Sequence, residues 1–80
     1  MEIIYQKIES KEQLIELIRK LSNENTDSWE NMSINDYLEA MGAWIDSAEG
    51  FYKNSKSNTN PDKPSWQLFA DALQAAKIYE

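Results

Sequence analysis

The stretch "SWQLFADALQAAKIYE", Ser65 to Glu80, decides the fold. Trp66, Phe69, Leu73 and Ala76 recur in one row at helical spacing, and Leu68, Ala72, Ala75 and Tyr79 form the row beside it. Two adjoining rows make an apolar face wide enough to touch two other helices at once. A helix from about Pro64 to Tyr79 is therefore expected at the centre of the domain. Its alanines let neighbours come close and its aromatics supply buried area. A fully buried Trp removes roughly 200 Å² from water, or about 5 kcal/mol gross. Pro64 suits a first turn, where its missing N–H is not needed.

The preceding helix is punctuated as clearly. In "MSINDYLEAMGAWIDSAEG", Ser33 is the expected N-cap, Asp36 stands at the third helical position, and Met32 with Tyr37 fits a hydrophobic staple. Ile34, Tyr37, Leu38, Met41, Trp44, Ile45 and Ala48 form an unbroken apolar stripe, and Gly50 is the expected stop, giving a helix from Ser33 to about Glu49. Gly42 in its interior costs about 1 kcal/mol against Ala. Close approach of another helix would account for it, and so would chance. A first helix, Ser10 to Asn23, opens on "SKEQ", a capping box of Ser10 with Gln13. Leu14, Leu17, Ile18 and Leu21 are its apolar side, and Glu16 with Lys20 a favourable outward pair.

Two polar stretches separate these helices, Ser22 to Ser28 and Lys53 to Pro64, both rich in the Asn, Ser and Pro that favour turns. The opening "EIIYQKI", Glu2 to Ile8, is strand-like in composition but has no strand to pair with. It either lies along the helices, extends the first, or pairs with a second copy. The expected fold is all-α: one domain over residues 1–80, three helices and an extended N-terminal segment, with a small α+β arrangement as the alternative.

Composition narrows the chemistry. Apolar residues make up 41% of the chain, too many for a disordered tail. Fourteen acids against eight bases give a net charge of -6, which disfavours nucleic acid and anionic membranes and favours a basic protein as partner. Ordinary solubility explains the same charge. No basic leader or membrane-length apolar run is present, so a cytoplasmic location is expected. His and Cys are absent, which removes the commonest general base, the thiol nucleophile and most zinc sites. The two glycines make no phosphate loop. The loop from Ser55 to Ser65 lacks the Asp/Asn alternation, central Gly and closing Glu of a calcium site. "NMS", Asn31 to Ser33, fits a glycosylation sequon and equally a helix cap. Asp36 with Glu39, and Asp46 with Glu49, are spaced for paired acid–base work, but they fall on the polar side, where a solvated face is the ordinary explanation. No catalytic residue, metal or cofactor is expected.

What stands out is a one-signed surface. Asp36, Glu39, Ala43 and Asp46 follow helical spacing opposite the apolar stripe, with Ala40 alongside and Glu49 at the end. No Lys or Arg occurs from Ser28 to Tyr52, and such a surface is less common than a mixed one. Carboxylates with small residues between them can receive Lys or Arg side chains from a partner. Asp27 and Glu30, beside Trp29, extend the patch; the plainer reading is a solvated face with Trp29 buried.

"WENMSINDYLEAMGAWI", Trp29 to Ile45, followed by "PSWQLFADALQAAKIYE", Pro64 to Glu80, resembles a family of small uncharacterised bacterial domains. The resemblance covers about residues 29 to 80 and is most specific at the ending. It implies a compact domain and carries over no functional residue. It directs attention to Asp71 and Glu80, within the shared ending, as interface residues or as internal capping and pairing groups.

Two functions follow as expectations. One is a small acidic binding protein, most concretely an immunity protein that occludes the active site of a basic toxin nuclease through Asp27, Glu30, Asp36, Glu39, Asp46, Glu49, Asp71 and Glu80. The alternative is a structural or regulatory interaction module, without catalysis, that acts as a homodimer.

Overall fold

The computed structural model describes residues 6–55 and 58–79. It is all-helical: α1 (Lys11–Ser22), a single 3-10 turn (Thr26–Ser28), α2 (Ile34–Asp46), α3 (Ala48–Ser55) and α4 (Trp66–Ala75). No strand occurs among the described residues. The start of "EIIYQKI", through Tyr5, lies outside them.

Three serines set the helix starts. Ser10, Ser33 and Ser65 each accept a backbone N–H three residues on, from Gln13, Asp36 and Leu68, at 3.2, 3.0 and 3.0 Å. The capping box is displaced by one residue, because Gln13 Oε1 accepts from the Glu9 N–H rather than from Ser10. Pro64 stands outside α4, ahead of its cap. The expected staple does not form: Met32 is exposed, and Tyr37 instead stacks on Trp29 at 5.6 Å.

α4 is the centre, as its two rows require, yet its alanines carry the contact. α1 and α2 each lie against α4 and do not touch each other. Ala70 and Leu73 meet Ile8, Leu14, Leu17 and Leu21 on one side. Ala72 and Ala75 meet Trp44, Ala48 and Tyr52 on the other, with Leu68 and Tyr79 against the same cluster. The row of Trp66 and Phe69 falls between these two contacts, so Trp66 is 53% exposed and Phe69 43%. The same geometry corrects the stripe on α2. Ala40 and Trp44 are buried, whereas Ile34 (76% exposed), Leu38 (57%) and Ile45 are open to solvent. α4 covers only a narrow strip of α2, and these three side chains lie beside that strip. Ile18 on α1 is likewise exposed.

The second helix breaks at Ser47 instead of running to Gly50, which sits inside α3. The break brings Phe51 and Tyr52 back against Trp44, with ring centroids 5.4 and 5.9 Å away. A straight continuation would keep both rings on the same side but place them about 10–12 Å along the axis from Trp44, out of contact with it.

The extended segment before α1 finds its pairing partner in a side chain. Gln67 Oε1 accepts from the Ile8 N–H at 2.6 Å and Gln67 Nε2 donates to the Gln6 carbonyl at 2.8 Å, so one amide acts as a short piece of strand. That contact, with Lys77 paired to Glu24 at 3.0 Å at the other end, makes α1 parallel to α4. Asn31 bonded to Lys77, and Tyr37 bonded to the Leu73 carbonyl, make α2 antiparallel to it.

Candidate partner-binding surface

Asp36, Glu39, Ala43 and Asp46 are exposed along one flank of α2. Asp36 stands in the first turn, where a carboxylate complements the helix N-terminus. Part of this flank is a shallow groove of about 120 Å³, lined by Asn31, Asp36, Glu39, Ala40, Ala43 and Tyr79. Tyr79 comes from the turn after α4 and is pinned at both ends. Its hydroxyl pairs with Ser47 Oγ at 3.2 Å, and its carbonyl accepts from Asn31 Nδ2 at 2.7 Å. The same Nδ2 donates to the Ala76 carbonyl at 2.9 Å, and the Asn31 N–H donates to the Lys77 carbonyl at 3.0 Å. One asparagine thus takes up the otherwise open carbonyls beyond α4 and fixes the aromatic wall of the groove. Alanine methyls, an aromatic ring and two carboxylates on one groove suit the alkyl stem and cationic head of Lys or Arg.

The remaining sequence-derived acids are distributed differently. Asp27, in the 3-10 turn, and Glu30, in the loop after it, are exposed and do not line the groove. Asp46 ends α2 and Glu49 stands in the first turn of α3; both are exposed, and the break at Ser47 takes them off a common helix. Glu80 lies outside the described residues. Asp71 is the correction among them: at 3% exposure it is no partner contact. Its two oxygens accept from Tyr52 Oη at 2.6 Å and Gln67 Nε2 at 2.8 Å, which is the internal-pairing alternative. Burial pushes its pKa above the ordinary carboxylate value, against the lowering effect of those two hydrogen bonds. Asp71 stands at the edge of an open cleft of about 660 Å³ between the Gln6–Ile8 segment, α3, the loop after it and the start of α4.

A second polar cluster holds the opposite end together. Glu24 Oε1 accepts from Lys77 Nζ at 3.0 Å and from Trp29 Nε1 at 3.2 Å, and Lys77 Nζ sits 5.7 Å from the Trp29 ring centre. Burial raises the Glu24 pKa, but Lys77, Trp29 and Lys20 together outweigh it and leave the group below its ordinary value. Tyr37 is pushed up to about 12 by burial and by the Glu24 charge. Trp29 is half-buried and serves this cluster rather than reaching for a partner.

Helical spacing found Asp36, Glu39, Ala40 and Ala43. It missed Asn31 and Tyr79, which close the groove from 48 residues apart. The only local signal was the "NMS" tripeptide, readable as a cap or a sequon. Among the described residues no three metal-binding side chains come together, and no helix is long and apolar enough to cross a membrane.

The chain belongs to the family of unknown function DUF7660, whose sequence model matches residues 10–80. It is also similar to a protein phosphatase 2C homolog of Schizosaccharomyces pombe, with 39% identity over 41 residues, 51% of this chain and 9% of that protein. The chain therefore spans less than a tenth of the length of this curated relative. No solved structure matches.

Proposed function

We propose that this domain binds a basic protein on the acidic flank of α2, taking one Lys or Arg side chain into the groove beneath Tyr79. The observation that carries this reading is the groove itself: carboxylates of Asp36 and Glu39 beside the Ala40 and Ala43 methyls and a pinned aromatic ring. The net charge of -6, and a flank free of Lys and Arg, supply long-range steering toward a positive surface. The most concrete partner class is a basic toxin nuclease, with this domain as its immunity protein. Nuclease channels are positive where they hold substrate, and an acidic helix of this size can occupy one. The short match within a much longer phosphatase 2C homolog is in keeping with a module carried on different chains.

The test is binding to a purified nuclease encoded beside this protein, and to Lys- and Arg-rich peptides, at low and high salt. Affinity is expected to fall steeply with salt and to drop about tenfold or more in the Asp36→Asn, Glu39→Gln double variant. Binding that ignores both salt and these two substitutions overturns the reading, as does failure to bind any basic probe.

A further inference from the structure

We infer that the face of α1, α4 and α2 opposite α3 is a self-association surface, and that its occupant is a second copy of this chain related by a two-fold axis parallel to the helices. The inference starts from where the exposed apolar side chains lie. On α2, Leu38 and Ile45 stand about a quarter turn from the Trp44 row that faces α4. On α4, Phe69 stands about a quarter turn from the Ala72–Ala75 row. On α1, Ile18 stands a similar step from Leu14, Leu17 and Leu21. Because α1 runs parallel to α4 and α2 antiparallel, these offsets all point to the same side of the three-helix layer. Asp71 and Gln67 point to the other side, where Tyr52 of α3 and the Gln6–Ile8 segment already meet them.

The area is sufficient. With aromatic side chains of 150–250 Å² and aliphatic ones somewhat smaller, the exposed fractions of Ile18, Leu38, Ile45 and Phe69, with Ile15, Ile34 and Trp66 adjoining them one turn away, amount to roughly 650 Å². That exceeds the roughly 300–600 Å² of a typical monomer's largest patch. It approaches the roughly 800 Å² that each partner contributes to a stable interface.

The charges at its two edges select the partner. Beyond Leu38 and Ile45, the outer edge of α2 carries Glu39 and Asp46. The α1 edge carries Lys11 and Arg19, with Glu12 two turns before Arg19 on the same line and Glu16 turned further from the face. A two-fold axis parallel to the helices lays each α2 on the partner's α1 at the same height. Lys11 opens α1 and Asp46 closes α2, both at the end of the layer where α4 starts, and Arg19 and Glu39 stand about 12 and 10 Å from them along the axis. Acidic edge then meets basic edge twice. Gly42 adds room: it lies on the same side of α2, and a Cβ placed there meets nothing within 4 Å of its own chain. Asp36 faces away from this surface and stays free in the dimer, whereas Glu39 stands between the dimer edge and the groove beneath Tyr79, so the two interactions share that carboxylate.

Sedimentation of the whole chain over roughly 5–200 µM tests this, since interfaces of this size span micromolar to picomolar affinity. A dimer is expected, and Leu38→Arg or Phe69→Arg is expected to give a monomer that retains its helical circular dichroism. A charge exchange checks the axis. The Glu39→Lys, Asp46→Lys variant and the Lys11→Glu, Arg19→Glu variant should each dimerise at least about tenfold more weakly, while their mixture forms a heterodimer. A monomer throughout the range overturns the inference. So does a dimer indifferent to Leu38→Arg and Phe69→Arg, or a mixture that does not associate.

Discussion

The Tyr52 hydroxyl donates a 2.6 Å hydrogen bond to the Asp71 carboxylate, and this one contact ties α3 to α4 across 19 residues. Gln67 satisfies the other oxygen and, with the same amide, holds the segment before α1. A single buried carboxylate therefore organises three parts of the chain.

Tyr52→Phe keeps the ring against Trp44 but leaves Asp71 with one donor fewer in a buried place. A loss of about 1–3 kcal/mol at neutral pH is expected by urea denaturation. A change within error would mean that water replaces the hydroxyl without cost.

Asp71 also sets a pH dependence of definite sign. Its folded pKa is raised above the ordinary 3.8, so the folded state holds this proton more tightly than the unfolded chain does. The contribution is complete below the unfolded value and is lost as pH rises through the folded value. Stability of the wild type relative to Asp71→Asn is thus expected to fall as pH increases from about 4, then level off. A relative gain over that window would show that the two hydrogen bonds outweigh burial.

Glu24 acts in the opposite sense. Its folded pKa lies below the ordinary 4.5, so its contribution is present above that value and is lost as pH falls through the folded one. Wild type should lose its advantage over Glu24→Gln on acidification below about 4.5, and Lys77→Met should abolish most of that difference. Thermal melts across the acid range measure both.

Asn31→Ala removes two side-chain hydrogen bonds to carbonyls beyond α4. A destabilisation of about 1–2 kcal/mol is expected. Because Tyr79 is released with it, the variant should also bind basic peptides more weakly than its stability loss alone accounts for. Normal binding by the folded fraction would remove Tyr79 from the site.

Gly42 and Gly50 lie within helices, and a Cβ at either meets nothing within 4 Å. Gly42→Ala and Gly50→Ala are each expected to raise stability by about 1 kcal/mol in denaturant titrations.

Much of this was legible in the sequence where the cause is local. Ser10, Ser33 and Ser65 cap their helices because a hydroxyl needs only an amide three residues away, and the periodicity of α4 revealed its central place. The covered fraction of each helix was not legible. Periodicity marks Phe69, Leu38 and Ile34 as apolar, but only the positions of α1 and α2 around α4 decide which rows are roofed over. The break at Ser47 has no Pro or Gly to announce it; the packing of Phe51 and Tyr52 on Trp44 favours it, and Gly50 drew attention to the wrong place. In the candidate site the carboxylates and alanines share one helix and follow its spacing. Asn31, Tyr79 and the donors to Asp71 meet across distant parts of the chain, where spacing carries no information.

The central position of α4 has a consequence for biosynthesis. α1 and α2 have no contact with each other, and every long tie between them passes through a helix that leaves the ribosome after both. Until Trp66 to Ala75 emerge, α1 has no helix to close upon and α2 has only the short α3, and isolated helices of 12 or 13 residues are marginal in water. Folding must then proceed in one late step rather than piece by piece during translation, with the apolar rows of α1 and α2 open to chaperones until it does.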